Sequence, residues 1–258
     1  MFIDTFLKYL RFERNYSEKT IVSYRIDLEE FEDYLKKVDA EKNLVTADAD
    51  LVRSWMVYLM EKGRSVATVN RKLSSLRSFY RFLLRRRVVD LDPMLKVVGP
   101  KKQKTLPSFL RVQEMDRLLD ECSVNEGFEG VRDRLILEMF YATGMRLSEL
   151  IGLSDADVDL SAKLLKVTGK RNKQRLIPFG EELWMDLLGY IKLRNETLPD
   201  RDDALFVRKD GKRMYPELVY KIVRRNLSKV ATLKKRSPHV LRHTFATAML
   251  NGNAELQA

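Results

Sequence analysis

The sequence predicts a mainly α-helical protein of the α+β class, with a small antiparallel sheet in its second half. Three observations support this. Apolar residues recur every three or four positions through residues 2–100 and over most of the second half. Two short runs with strand character flank a turn at residues 169–173. A stretch rich in Gly, Pro and Lys separates the two halves, which predicts two domains.

Residues 1–96 are predicted to form a four-helix domain. Ser17 can cap the second helix, whose apolar positions alternate at spacings of three and four. A third helix is expected from about residue 48 to 60, and Gly63 ends it. The fourth starts near Ser65. Its core positions are Val69, Leu73, Leu76, Tyr80 and Leu83.

Residues 97–107 are interpreted as an extended, basic linker, and residues 108–258 as a second domain. Strands are expected at Leu164–Thr168 and Arg175–Pro178, joined as a hairpin by a loop that contains Gly and Asn. Helices are expected on both sides of the hairpin, at about residues 112–122, 131–141, 146–150, 181–194 and 215–230, and from residue 238 onward.

The positive charge is unevenly distributed along the chain. The formal net charge is +11, and residues 62–87 contain nine basic side chains and no acidic one. Residues 166–175 add five basic side chains and residues 221–242 add eight, again without an acid. A protein that uses charge only for solubility would intermix the two signs. The segregation therefore favours a polyanion, and nucleic acid in particular, as the partner.

Composition also excludes several classes of protein. Cys122 is the only cysteine and the chain has two histidines, so neither an intramolecular disulfide nor a zinc site is expected. We expect no cofactor. The sequence shows no apolar run long enough to span a bilayer and no signal sequence at its first residues. We therefore expect a cytoplasmic protein without membrane contact.

Both histidines lie in one stretch near the C-terminus. Ser237 followed by Pro238 predicts a helix start, and His239 and Arg242 then project from one face of the first turn. An imidazole, a guanidinium and the free N–H groups of a helix start suit a phosphate. The alternative is an ordinary solvated helix face.

Arg146 and Lys170 are two further candidates. Gly144 fixes a turn ahead of Arg146 and can direct that side chain inward, although Arg146 is equally interpretable as a surface arginine paired with Glu149. Lys170 lies at the expected hairpin tip. A lysine there can reach into a cleft and deliver a proton, or it is simply part of a charged turn.

Further basic residues are expected to contact DNA. On the fourth helix, basic and hydroxyl side chains are left off the core face and suit a major groove or its phosphates. The expected contacts are Arg71, Lys72 and Arg77 on the fourth helix, Lys101, Lys102 and Lys104 in the linker, and Arg171 and Lys173 in the hairpin loop.

Three segments together resemble one family. They are residues 142–150 (ATGMRLSEL), 169–178 (GKRNKQRLIP) and 239–247 (HVLRHTFAT). Each alone is a weak signal, but in this order and behind a basic helical domain they strongly resemble the tyrosine site-specific recombinases. Within that family the chain is most similar to the bacterial Xer-type and simple integrase members.

The resemblance implies a DNA clamp made of a core-binding domain and a catalytic domain. It implies that Arg146 and Arg242 bind the scissile phosphate, that Lys170 protonates the leaving 5′-hydroxyl and that His239 handles protons. The family's nucleophile is a tyrosine that forms a 3′-phosphotyrosyl link, which requires neither ATP nor a metal ion. Its members work on duplex DNA as a synaptic tetramer of recombinase protomers.

The sequence departs from the family at its end. In relatives, another histidine or tryptophan and the nucleophilic tyrosine follow the arginine helix, whereas the tyrosines here end at Tyr220. We therefore expect a truncated, cleavage-inactive and largely monomeric form. One alternative is a DNA-binding accessory or regulatory protein that kept the fold and lost the chemistry. Another, a type IB topoisomerase, fits the chain size and the helical first domain less well.

Overall fold

The computed structural model of the protein describes residues 2–102, 109–123, 127–169, 172–230, 233 and 235–251. Within these ranges the chain is mainly helical with one small antiparallel sheet, which confirms the predicted fold class. The chain divides into two compact units, Met1–Thr105 and Leu106–Ala258. In the described ranges, no helix has both the length and the apolar character that a membrane span requires.

The N-terminal unit is a bundle of four helices. They are α1 (Phe2–Lys8), which continues into a π-helical turn at Tyr9–Glu13, α2 (Glu18–Val38), α3 (Ala49–Glu61) and α4 (Val66–Arg85). Helices α2, α3 and α4 are capped by Ser17, Asp48 and Ser65, whose side-chain oxygens each accept a backbone N–H from the first turn. These helices therefore start where local capping chemistry predicts.

Helix α4 contributes most to the core of this unit. Its apolar side chains pack with Phe6, Phe31 and Trp55 from the other helices, all fully buried. A short 3₁₀ turn at Pro93–Lys96 follows α4. These buried aromatic side chains contribute a large apolar area to the core of the N-terminal unit.

The first residues of the expected linker pack onto the N-terminal unit. Val97 is buried in its core, and its carbonyl oxygen accepts a hydrogen bond from Arg77 at 3.0 Å. Asn70 donates to the carbonyl oxygen of Pro100 at 2.9 Å. Residues 97–100 are thus held against α4, because α4 offers donors for their backbone oxygens, and do not form a free extended segment.

The second unit contains α-helices and one small sheet. Its elements are α5 (Val112–Ser123), α6 (Phe128–Thr143), α7 (Leu147–Gly152), β1 (Val158–Asp159), β2 (Leu164–Thr168), β3 (Gln174–Pro178), α8 (Glu181–Thr197), α9 (Pro216–Val230) and α10 (Pro238–Asn251). The strands are antiparallel in the order β1-β2-β3, with Leu165 opposite both Val158 and Ile177.

Helix α6 is the central element of this unit. It packs against α5, α8 and α10, and residues 135–140 are all buried. It begins at Phe128, three residues before the predicted start at 131. Because α6 is covered on most sides, its apolar residues do not form the single stripe of an amphipathic helix. The sequence pattern therefore gave a less accurate start for this helix.

Gly144 ends α6 and brings α10 close to it. The glycine adopts a left-handed conformation (φ +57°), and its N–H donates to the carbonyl oxygen of Phe140 at 3.1 Å. A Cβ at this position would lie 2.2 Å from the ring of Phe245 on α10. Only glycine permits both the backbone conformation and this approach of the two helices.

Candidate functional site

Two of the predicted arginines meet at the turn between α6 and α7. Arg146 is the N-cap residue of α7, and a guanidinium nitrogen of Arg242, on α10, donates a hydrogen bond to the carbonyl oxygen of Gly144. Partial burial lowers the pKa of Arg242, and the neighbouring positive charges of Arg146 and Arg175 lower it further. Mutual repulsion of this kind indicates that the three guanidinium groups lie near one another.

A buried carboxylate, Glu149, holds two of these arginines. Its Oε1 accepts from the guanidinium groups of Arg146 at 2.8 Å and Arg175 at 2.7 Å. Its Oε2 accepts from the Arg146 backbone N–H at 2.7 Å and from Arg175 at 2.9 Å. Burial raises the pKa of Glu149, but the hydrogen bonds from Arg175 and Arg146 outweigh it and lower the pKa to about 2. Glu149 is therefore ionised at neutral pH.

The resulting cluster has an excess of positive charge. Arg146, Arg175 and Arg242 contribute three positive charges and Glu149 one negative charge, which leaves a net charge of +2. The Arg146 side chain is 51% exposed, so its guanidinium remains accessible from solvent. Such a cluster can bind a phosphate and stabilise negative charge that develops on its oxygens.

Sequence reasoning did not identify Arg175 as part of this site. It lies on β3, where the sequence indicates only the start of a strand. The available signal was Glu149, an acid inside an otherwise cationic motif, which needs partners if it is buried. The alternative interpretation of Arg146, a surface arginine paired with Glu149, describes a contact that is present.

The two histidines lie on the exposed side of α10. Pro238 begins the helix, and His239 in its first turn is exposed, as is His243. His239 and Arg242 are three residues apart on this helix, so the spacing expected from the sequence is present. Thr244, between them and the core, accepts a hydrogen bond from the Leu110 N–H at 2.9 Å and anchors α10.

The β2–β3 hairpin approaches the same cluster. Gly169 at the end of β2 donates to the carbonyl oxygen of Lys173 at 2.8 Å. A Cβ on Gly169 would lie 3.1 Å from Oε1 of Glu149, so the base of the hairpin packs on the carboxylate. Lys170 and Arg171, two predicted site residues, lie outside the described residues, as does Lys104.

Lys72 does not fit the expected contact with DNA. Its side chain is 4% exposed, and its ammonium donates to Asp27 at 2.9 Å and to Glu30 at 2.6 Å. Arg71 also binds Asp27 through both terminal nitrogens, but its side chain is 47% exposed. The helical face that carries Lys72 turns inward, because Val69 and Leu76, three residues before it and four after it, are buried on the same face.

The other predicted contacts lie at or near the surface. Lys101, Lys102 and Lys173 are exposed, and Arg77 is partly buried with one nitrogen bound to Val97. The sequence did not single out Arg81, whose spacing of four from Arg77 and Arg85 places it on the same face of α4. Arg77, Arg81 and Arg85 line a groove of about 360 Å³, here called the α4 groove. The other residues that line it are Tyr9, Leu10, Arg14, Tyr16, Tyr24, Ser74, Ser78 and Phe82.

Metal ligands are not clustered in the described part of the chain. No group of three or more His, Cys, Asp or Glu side chains there is arranged to hold a metal ion. The chemistry that the described site supports rests on arginine, histidine and a carboxylate.

Comparison with known proteins gives consistent matches over both units. Residues 108–258 match the phage integrase family, and residues 3–87 match the N-terminal SAM-like domain of phage integrases. The chain is 37% identical to the tyrosine recombinase XerC of Chlorobaculum tepidum, over 98% of this chain and 83% of that protein. It is 36% identical to the tyrosine recombinase XerD of Oceanobacillus iheyensis, over 99% of this chain and 86% of that protein.

Solved structures share the fold. The XerH site-specific recombinase, in a post-cleavage complex with its palindromic difH substrate, matches 98% of this chain and 75% of that chain with a TM-score of 0.77 and 23% identity. A lambda integrase dimer bound to a COC′ core site matches 97% of this chain and 89% of that chain, with a TM-score of 0.73 and 16% identity.

Proposed function

The chain belongs to the phage integrase family as a Xer-like tyrosine recombinase, and on that premise we propose that residues 1–258 bind duplex DNA and hold its scissile phosphate between Arg146 and Arg242. The observation that carries the proposal is the convergence of both arginines on the Gly144 turn, in a cluster with net positive charge. Relatives solved on DNA, such as XerH with difH, support duplex DNA as the partner.

The two arginines have a role in the transition state. When a nucleophile attacks a phosphodiester, negative charge grows on the non-bridging oxygens. Two guanidinium forks fixed by α10 and by the start of α7 can donate charge-assisted hydrogen bonds to those oxygens without moving. Their contribution is therefore electrostatic and directed at the phosphate.

Lys170 and His239 are proposed for proton transfer. Lys170 matches the family's general acid in sequence and would protonate the leaving 5′-oxygen. His239 is exposed three residues before Arg242 and is proposed to take or return a proton near the phosphate. Both proposals rest on the resemblance and on the positions of these residues in the sequence.

DNA contacts are proposed on surfaces of both units. In the N-terminal unit, the α4 groove presents Arg77, Arg81 and Arg85 together with two serine hydroxyls, a set that suits phosphates and base edges. Lys101 and Lys102, and in the catalytic unit Lys173, add exposed positive charge. Lys72 is left out of this proposal because its ammonium is buried against Asp27 and Glu30.

A salt titration tests the DNA proposal. Binding of the purified chain to a fluorescent duplex would be measured at several salt concentrations. We expect log K to fall linearly with log salt, with a slope of about −0.9 for each phosphate contact. Binding that is insensitive to salt, or absent at low salt, would refute the proposal.

A denaturing gel tests whether these residues supply a nucleophile in addition to the phosphate-binding arginines. No tyrosine follows Tyr220 in these 258 residues, so we expect them alone to form no covalent adduct with a nicked suicide substrate. Tyr141, the tyrosine next to the site in sequence, packs partly buried against the core. An adduct that survives denaturation and disappears in Tyr141→Phe would contradict this expectation. We also expect the 258 residues to be largely monomeric.

A further inference from the structure

Arg175 joins two parts of the catalytic unit through one carboxylate. Its two terminal nitrogens, on β3, donate to the two oxygens of Glu149 on α7 at 2.7 and 2.9 Å. The same oxygens accept from the side chain and the backbone of Arg146. A carboxylate has about four acceptor sites, so these four hydrogen bonds saturate Glu149.

Glu149 without Arg175 would work against phosphate binding. The carboxylate orients Arg146, but a negative charge 2.8 Å from that guanidinium also competes with an incoming phosphate. In addition, a buried carboxylate with one cation is costly, because removal from water is repaid only by full hydrogen bonding. A second cation on the same carboxylate removes both problems.

We propose that Arg175 is a positioning residue for Arg146: it neutralises and fixes Glu149, so that Glu149 holds Arg146 in place without cancelling its charge toward a phosphate. The inference deepens the proposed function and rests on it, since it assumes that Arg146 and Arg242 bind the phosphate. Arg175 is not assigned to the phosphate itself, because both of its terminal nitrogens face the carboxylate.

The charges around Glu149 agree with this assignment. Hydrogen bonding to Glu149 raises the pKa of Arg175, whereas burial and the nearby arginines lower the pKa of Arg242. Arg175 is thus stabilised as a cation by the carboxylate, whereas burial and the neighbouring arginines disfavour the charged form of Arg242. The two arginines have different roles within one cluster.

A sulfate titration of the 258-residue chain tests the proposal. Sulfate is a tetrahedral oxyanion whose charge is constant through the neutral pH range, and its binding would be followed at the Nε–H resonances of Arg146 and Arg242. Variants are Arg175→Ala, Glu149→Gln and the double variant, with circular dichroism to verify folding. Lys192→Ala, at an exposed position on α8, is the control for loss of one positive charge.

The expected result is non-additive. Arg175→Ala should weaken sulfate binding roughly tenfold in the unchanged background, because Glu149 is left uncompensated. In the Glu149→Gln background the same substitution should cost less than about threefold. Lys192→Ala should leave the affinity unchanged. If Arg175→Ala does not fold, Arg175→Lys replaces it, since lysine keeps the charge and loses the bidentate fork.

Equal losses in the two backgrounds would mean that Arg175 attracts the anion directly and would overturn the proposal, as would no loss in either. A second readout is the carboxyl resonance of Glu149, which faces Arg146, Arg175 and Arg242 and should titrate at higher pH in Arg175→Ala. If sulfate shifts neither Arg146 nor Arg242 in the unchanged chain, the proposed phosphate site itself fails. That result differs from one in which sulfate binds at Arg146 and Arg242 but its affinity does not depend on Arg175.

Discussion

Each unit contains a buried carboxylate that binds two cations, and the two arrangements differ in what they leave exposed. In the N-terminal unit, Asp27 on α2 binds Arg71 and Lys72 of α4, and the Lys72 side chain is only 4% exposed. In the catalytic unit, Glu149 binds Arg146 and Arg175, whose side chains are 51% and 40% exposed. Asp27 thus binds a buried cation, Lys72, whereas both cations that Glu149 binds are at the surface.

From this difference we infer that a basic residue can bind an external phosphate only where carboxylates of the protein do not offset its charge. Arg71 and Lys72 are neighbours in the acid-free basic run of residues 62–87, yet both are bound to Asp27. Asp27 and Glu30 together offset the charges of Arg71 and Lys72. Arg146, Arg175 and Arg242 share the one carboxylate of Glu149, so positive charge remains there. Two properties therefore separate an ion pair that only stabilises the fold from a cluster that can bind an anion. They are the ratio of cations to carboxylates and the exposure of the cations.

The largest effect that we expect is on the free energy of unfolding when either buried carboxylate, Asp27 or Glu149, is removed. Asp27→Ala removes the fully buried carboxylate that binds Lys72 and Arg71 and leaves Lys72 with the partly exposed Glu30, and loss of one partner of a buried pair costs about 3–5 kcal/mol. Glu149→Ala should cost less, because Arg146 and Arg175 are half exposed and can regain water. Urea unfolding of both variants measures the difference. Equal losses would show that the two carboxylates have the same structural role.

The next effect concerns catalysis at the exposed cations. In a form of the protein that carries a nucleophilic tyrosine, Arg146→Ala or Arg242→Ala should slow strand cleavage by about a hundredfold or more. Binding of duplex DNA should persist, since most of the affinity comes from the other cations. Single-turnover cleavage of a suicide substrate measures the rate. Cleavage near the unchanged rate in either variant would refute the assignment of that arginine.

A third buried carboxyl group, that of Glu138 on α6, lies where the nearby positive charge is too small to keep it ionised at neutral pH. Burial, together with the hydrogen bond and the negative charge of Asp186, raises the pKa of Glu138 to about 8, although the positive charge of Arg134 lowers it. The folded protein therefore keeps a proton that the unfolded chain releases above its ordinary pKa near 4.5. Stability from this group is complete below that ordinary pKa and is lost as the pH rises through about 8.

Glu138→Gln tests this sign. The unfolding free energy of the unchanged chain should fall by at most about 1.4 kcal/mol for each pH unit across this window. The variant should lose most of that decline, because glutamine does not titrate. Denaturant unfolding at a series of pH values gives the slopes. A parallel decline in both proteins would assign the pH dependence to other groups.

The smallest effect separates buried from exposed cations on α4. Arg81→Ala should reduce the salt slope of DNA binding by about 0.9, the contribution of one phosphate contact. Lys72→Met should leave the slope unchanged, since its ammonium already faces Asp27 and Glu30. The two slopes come from the same titration of a fluorescent duplex. A reduced slope for folded Lys72→Met would show that Lys72 reaches DNA.

Local signals made much of the fold predictable. The caps at Ser17, Asp48 and Ser65 and the spacing of apolar residues place the N-terminal helices, because both act within a few residues of the chain. The order of three motifs likewise singled out Arg146 and Arg242, which the structure brings to the same turn. These features are readable because each is contained in a short stretch of sequence.

The remaining features depend on contacts between distant residues. The pairing of Lys72 with Asp27 spans 45 positions, and that of Arg175 with Glu149 spans 26. No local pattern distinguishes the inward Lys72 from the adjacent Arg71 beyond the helical face that each occupies. The packing of Val97 and Pro100 on α4 similarly depends on donors from Arg77 and Asn70, which a linker-like composition conceals.

The most direct test of the central claim is a structure of the 258-residue chain bound to duplex DNA. The account predicts one phosphate whose non-bridging oxygens lie within about 2.7–2.9 Å of the guanidinium nitrogens of both Arg146 and Arg242. Glu149 and Arg175 should retain their mutual hydrogen bonds beside it. Duplex DNA bound elsewhere, with both Arg146 and Arg242 facing solvent, would contradict the account.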